Sequence, residues 1–317
     1  MKIFLLIISL CITSLLATDF KQPVSTFVSS GYVIDLLYKN EKVYSATDAS
    51  AVDIFDFKTK KIIKTIKVDQ IEDFMGDLVD SKVFSVDEFN GDIMLLSQSK
   101  KGFSRLHVHK NNENILLIDH TDKLSIIKAK YIDQNTILLA LLSNEIILYD
   151  IKKDINIYRV QVSGGKFSDF SLSEDRTKVI VTDESGEIHI HNTLNGIKIK
   201  TLKGQNLDNV FQLSYKNGVI ATAGQDRRVA VYSTKTNSAY YKKSSFLVYS
   251  VGLSPSGNLV AFASDEKNNV TVFNRVTKST VDKFSGNPMT LSNIVFIDEN
   301  EFLVSSNSNF INLYKIK

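Results

Sequence analysis

One short motif governs what this chain can fold into, because it returns seven times. Alternating apolar residues end on an aromatic or a histidine in VDIF from Val52, LHVH from Leu106, IILY from Ile146 and IHIH from Ile188. VAVY from Val229, VTVF from Val270 and INLY from Ile311 continue the series. The last five begin 42, 41, 41 and 41 residues apart. Period-two alternation puts every second side chain on one face of an extended strand, so each motif reads as β-structure.

Each repeat holds four such pieces. In the fifth they are VFQLSY, VIATAG, RVAVYS and SAYYKK, separated by Lys216-Asn217-Gly218, Gln225-Asp226 and Lys235-Thr236-Asn237. Short β-branched and aromatic runs between Gly, Asn and Asp turns predict four antiparallel strands. A strand-only unit repeating every 40–45 residues is the signature of a β-propeller. The chain therefore reads as all-β, a seven-bladed propeller. The predicted blades are 31–68, 82–122, 125–162, 166–204, 209–245, 246–286 and 289–317. The seventh repeat stops at Lys317 with three strands, while residues 23–30 (PVSTFVSS) form a strand with no partner in the first repeat. The N-terminal strand is expected to complete the last blade and remove an open edge; a lead-in without a pairing role is the alternative.

The architecture resembles the WD40 class without its tryptophans. That place in the third strand holds Phe55, His109, Tyr149, His191, Tyr232, Phe273 and Tyr314. A ring of aromatic-sized residues at one repeat position answers a packing need and carries no chemistry.

The N-terminus speaks to location. Lys2 precedes an apolar run, Ile3 to Ala17, of about fifteen residues, short of the ~20 that span a bilayer. Residues 1–17 are expected to be a secretory signal peptide cleaved near Ala17 or Thr18; an uncleaved anchor is the other reading. The sole cysteine, Cys11, lies in this run, so a processed chain has no thiol for disulfides, metal ligation, nucleophilic catalysis or haem attachment. Residues 18–317 would then be one exported domain without stable membrane insertion, expected to be a monomer. With 43% hydrophobic residues, such a chain can bury a large core without disulfides. The net charge is +3, with Lys and acidic residues interleaved and no basic tract, so nucleic acid is not an expected partner.

Departures from the repeat mark candidate function, since binding residues concentrate on loops of a rigid scaffold. In a propeller, the outer-to-inner connections and the second-to-third-strand turns share one face. The largest departure falls between KIIKTIKV and KVFSVD, in DQIEDFMGDLVDS, which carries Asp69, Glu72, Asp73, Asp77 and Asp80 around Phe74 and Met75. It suits a protein contact or a cation site, or it tucks Phe74 under its own blade. The turns read Ser143-Asn144-Glu145, Glu184-Ser185-Gly186-Glu187, Gln225-Asp226-Arg227-Arg228 and Asp265-Glu266-Lys267. Arg227 and Arg228 stand out in a Lys-rich chain; Arg forks carboxylates and tolerates interfaces better than Lys. Facing Glu145, Glu184 and Glu187, they would form either a binding rim or an internal ion-pair network. The candidate partner face is Asp73, Phe74, Met75, Asp77, Asn144, Glu145, Glu184, Glu187, Arg227 and Arg228.

His107-x-His109 and His189-x-His191 have a spacing that can hold zinc or copper. Both pairs fall in third strands two blades apart, and His109 and His191 occupy the aromatic column, so packed histidines are expected and no metal or cofactor. No G-x-S-x-G elbow or HExxH motif occurs. The expectation is a non-catalytic binding protein; the rival is an enzyme or ligand binder at the channel mouth, with a divalent cation on Asp73 and Asp77.

Several segments are similar to the NapL family of periplasmic nitrate reductase accessory proteins. They are Asp73-Phe74-Met75-Gly76-Asp77, LLSNEIILYD from Leu141, ESGEI from Glu184, AGQDRRVAVY from Ala223 and LVYSVGLSPSG from Leu247. The resemblance implies a WD40-like periplasmic protein whose partners are nitrate reductase components, assisting maturation or electron delivery. It brings no catalytic or cofactor residues. A general envelope-assembly scaffold shares the same fold and is the remaining reading.

Overall fold

Seven four-stranded antiparallel sheets, one per repeat, stand around a central channel. The computed structural model describes residues 20–316; the expected signal peptide and its cleavage site lie outside them. The strands of the blades run over 33–67, 83–118, 126–161, 167–202, 210–243, 251–284 and 291–315, with the last completed by Ser25–Val28. Within a blade the chain runs from the inner strand outward. The helical segments among the described residues are two short 3-10 turns, Lys100–Gly102 and His120–Asp122.

The alternation seen in the sequence explains where the core lies. Each blade is apolar on both faces and buries them against its two neighbours, producing seven apolar clusters, one at each blade junction. Phe55, His109, Tyr149, His191, Tyr232, Phe273 and Tyr314 are all buried at equivalent places. Gly252 shows how closely blades 6 and 7 approach: a Cβ there would sit 2.6 Å from the Ile294 carbonyl oxygen.

The seventh blade closes as a two-part clasp. Ser25 pairs with Leu313 and Phe27 with Ile311 in antiparallel register. Phe27 is buried edge-on against Phe55 of blade 1, 5.4 Å between ring centres, so the closing strand also seals the junction with the first blade. Upstream, Lys21 bridges the outer strand of blade 6: its N–H donates to the Lys283 carbonyl at 2.9 Å, and its carbonyl accepts from Ser285 N–H at 3.0 Å. This second attachment lies upstream of Pro23, outside the closing strand expected over residues 23–30.

Candidate functional site

The insertion after blade 1 is folded. Ile71–Glu72 pairs with Leu78–Val79 to form a small hairpin, and Ile71 is buried beneath it. Its base is fixed to both flanking blades. Ser50 Oγ of blade 1 donates to Asp80 Oδ1 at 3.0 Å and accepts from Ser81 N–H at 2.7 Å. On the blade 2 side, Arg105 Nη2 donates to the Asp69 carbonyl at 2.6 Å, and Lys100 Nζ meets Glu72 Oε2 at 2.8 Å. That hydrogen bond to Lys100 holds the Glu72 carboxyl below its ordinary range.

Asp73 builds the tip. Its Oδ1 accepts the N–H groups of Met75 and Asp77 at 2.8 and 3.0 Å, which is how an Asx side chain organises a tight turn. Phe74 and Met75 consequently point away from the disc, 94% and 73% exposed. Phe74 does not tuck under its blade. Leu78 extends the same apolar surface, and a cleft of about 530 Å³ runs between the hairpin and the Lys100–Gly102 turn. A rigidly rooted hairpin carrying an aromatic and a methionine, collared by carboxylates, suits contact with a protein surface.

The remaining candidate residues are scattered. Asn144 is 0% exposed; its Nδ2 donates to Ser163 Oγ at 2.8 Å and Asp183 Oδ2 at 2.9 Å. It is an internal turn residue in the left-handed region, φ 62°, and its expected place on the partner face is corrected. Glu145 pairs in bidentate fashion with Arg159 of its own blade, 2.7 and 2.8 Å, which lowers its pKa. Arg228 donates to the Gln205 carbonyl at 2.8 Å and stacks over Tyr241, 4.1 Å from the ring centre. Glu187 lies 3.9 Å from Lys203 Nζ. No ion pair joins either arginine to Glu145, Glu184 or Glu187 among the described residues, so neither the mixed-charge rim nor the expected network forms. Arg227 and Glu184 are simply exposed.

The four strand histidines are buried. Burial pushes the pKa of His107 and of His191 down, favouring neutral imidazoles. His191 Nδ1 bonds the Gly196 carbonyl at 2.9 Å, and His109 Nδ1 meets Asn114 Oδ1 at 2.6 Å. Among the described residues no three His, Cys, Asp or Glu side chains gather as a metal site.

At the inner strands, beside the channel that was the rival location, ion pairs join different blades. In six blades the inner strand carries a register shift at one shared place, just before Asp35, Ser85, Lys128, Asp169, Gln212 and Asn293. An extra residue there re-aims the next side chain. Asp35 accepts Val86 N–H of blade 2 at 3.0 Å and Lys130 Nζ of blade 3 at 3.0 Å. Lys128 meets Asp169 at 2.6 Å, and Asp169 accepts Leu213 N–H of blade 5 at 2.9 Å. Burial alone would raise the Asp35 pKa, but Lys130 and Lys128 outweigh it and hold the carboxyl below its ordinary range. These carboxylates serve as clips between blades. Sequence reasoning missed them because a polar residue in an inner strand gives no sign of which blade it will reach.

No protein-family model matches the chain, and no curated protein does. Among solved structures, the chain is similar to the β-propeller domain of Myceliophteria thermophila Cps50 (Swd1), with a TM-score of 0.74 at 12% identity. The likeness covers 93% of this chain and 99% of that one. At that identity it shows the fold alone: the chain is a seven-bladed WD40-like β-propeller.

Proposed function

We propose that this propeller is exported to the periplasm and works without catalysis, docking a protein partner through the 69–81 hairpin. The observation that carries the reading is the tip itself: Phe74 and Met75 stand clear of the disc on a base tied to two blades. Holding two large apolar side chains in water stabilises nothing in the free protein, whereas burying them in a partner contributes binding energy. The acidic collar favours a partner cavity with a basic rim.

The identity of the partner rests on resemblance. Of the segments similar to the nitrate reductase accessory family, LLSNEIILYD and AGQDRRVAVY are largely buried strand and turn, which any related propeller needs. Asp73 to Asp77 is the segment whose side chains face solvent almost throughout, and it supports assigning nitrate reductase components as partners. Affinity capture from periplasm with the native protein and with Phe74→Ser/Met75→Ser tests both levels. Loss of one partner from the variant is expected. Equal capture by both forms would remove the hairpin from the reading. A partner unrelated to nitrate reduction, lost in the variant, would leave the hairpin standing and overturn the family assignment.

A further inference from the structure

A second concavity lies on the same face, over blade 6, between the connection that enters it and its second-to-third-strand turn. It has a volume of about 490 Å³ and is lined by Phe20, Ser245, Phe246, Asp265, Glu266, Lys267, Asn269 and Ser285. Its frame is fixed on every side. Ser244 Oγ and Ser245 Oγ donate to the Ser264 carbonyl at 2.8 and 3.3 Å, joining the Phe246 loop to the blade 6 turn. Ser285 N–H donates to the Lys21 carbonyl, which seats Phe20 beside the pocket. Asp265 is committed to its own turn, accepting Lys267 N–H at 3.0 Å and both the backbone and side-chain N–H of Asn269 at 3.2 and 2.9 Å. Asp265 is therefore a fixed negative charge.

The chemistry of this lining is selective. Two phenyl rings supply apolar walls, and one of them already presents itself to a cation, with Lys283 Nζ 5.8 Å from the Phe20 ring centre. At the rim, Glu266 is exposed and has no hydrogen-bond or ion-pair partner among the described residues. Lys267 is likewise unpaired and leaves the lining one negative charge in excess. Aromatic faces beside carboxylates attract organic cations, and a guanidinium both stacks on a ring and forks a carboxylate.

We infer that this pocket binds an arginine side chain of a partner protein, with the guanidinium against Phe246, the ring that no cation among the described residues already faces, and its N–H groups donating to Glu266. The site is separate from the hairpin, and its test does not depend on that reading. N-acetyl-arginine amide is titrated into the purified protein by calorimetry, with N-acetyl-citrulline amide as the neutral isostere. Saturable arginine binding is expected, at least about tenfold tighter than citrulline. Glu266→Gln and Phe246→Ala each weaken it by about fivefold to tenfold. Lys267→Ala removes a like charge and tightens it, more strongly at low salt. Glu266 and Lys267 are exposed, so their variants keep the fold even where Phe246→Ala does not. Equal affinity for citrulline, or indifference to both exposed charges, would overturn the inference.

Discussion

Replacing Lys130 with methionine cuts the ion pair between the inner strands of blades 1 and 3 while keeping most of the side-chain volume. Lys130 Nζ lies 3.0 Å from Asp35 Oδ2 and 2.7 Å from the Val86 carbonyl, and both members of the pair are largely buried. Removing one partner of a buried pair leaves an uncompensated charge and costs about 3–5 kcal/mol. Asp35 keeps its bonds from Leu36 N–H, Val86 N–H and Ser85 Oγ, which places the loss toward the lower end. For a domain of roughly 300 residues this corresponds to a melting shift of about 5–8 °C. The pH dependence distinguishes this account from simple packing loss. Asp35 in the native protein has a lowered pKa, so its stabilising contribution is complete above the ordinary carboxyl value of 3.8 and is lost as pH falls through the folded value. In Lys130→Met, burial is less opposed and the carboxyl protonates at higher pH. The gap between native and variant protein, measured by urea unfolding followed by circular dichroism, should therefore narrow from pH 7 to pH 4. Adding Asp35→Asn should restore at least about 1 kcal/mol by removing the buried charge. An equal gap at both pH values, with no recovery in the double variant, would refute the electrostatic argument.

Deleting residues 20–28 exposes the edge of Phe310–Lys315 and uncovers Phe55 at the junction of blades 7 and 1; size-exclusion chromatography should show a shift to larger species than the full chain forms. Burial lowers the pKa of His107 and His191, so the unfolded chain takes up protons first as pH drops below about 6.5, and stability falls with it. Replacing His191 with phenylalanine, which other blades use in that column, and His107 with isoleucine, the residue Ile147 supplies at the equivalent place of the next blade, should flatten that slope in urea unfolding between pH 7 and pH 5; an unchanged slope would mean other groups carry it.

The number of blades and their strand order are legible in the chain because the pattern is local. Alternation along six residues fixes which side chains leave each face, and the repeat length fixes how many sheets result. The closing strand was legible for the same reason: an unpaired N-terminal strand and a three-stranded last repeat have one economical solution. Burial of the aromatic column followed too, since Tyr314 and Phe273 must enter a blade junction once Leu313 and Val272 face the other way.

Matters that depend on which blades come close were not legible. Arg227 and Arg228 look equivalent side by side, yet one is spent on Gln205 and Tyr241 and the other is free. Asn144 reads as an exposed turn residue, yet the next blade's Asp183 captures it. Asp35 and Lys130 are 95 residues apart and meet only because the inner strands of blades 1 and 3 converge on either side of blade 2. The hairpin shows the division most clearly. Its acidic and apolar residues announce an insertion, but alternation alone leaves Phe74 free to turn inward or outward. Asp73 caps the turn locally, but the direction of the tip was set by Ser50, Arg105 and Lys100 holding the base, contacts that exist only once blades 1 and 2 stand side by side.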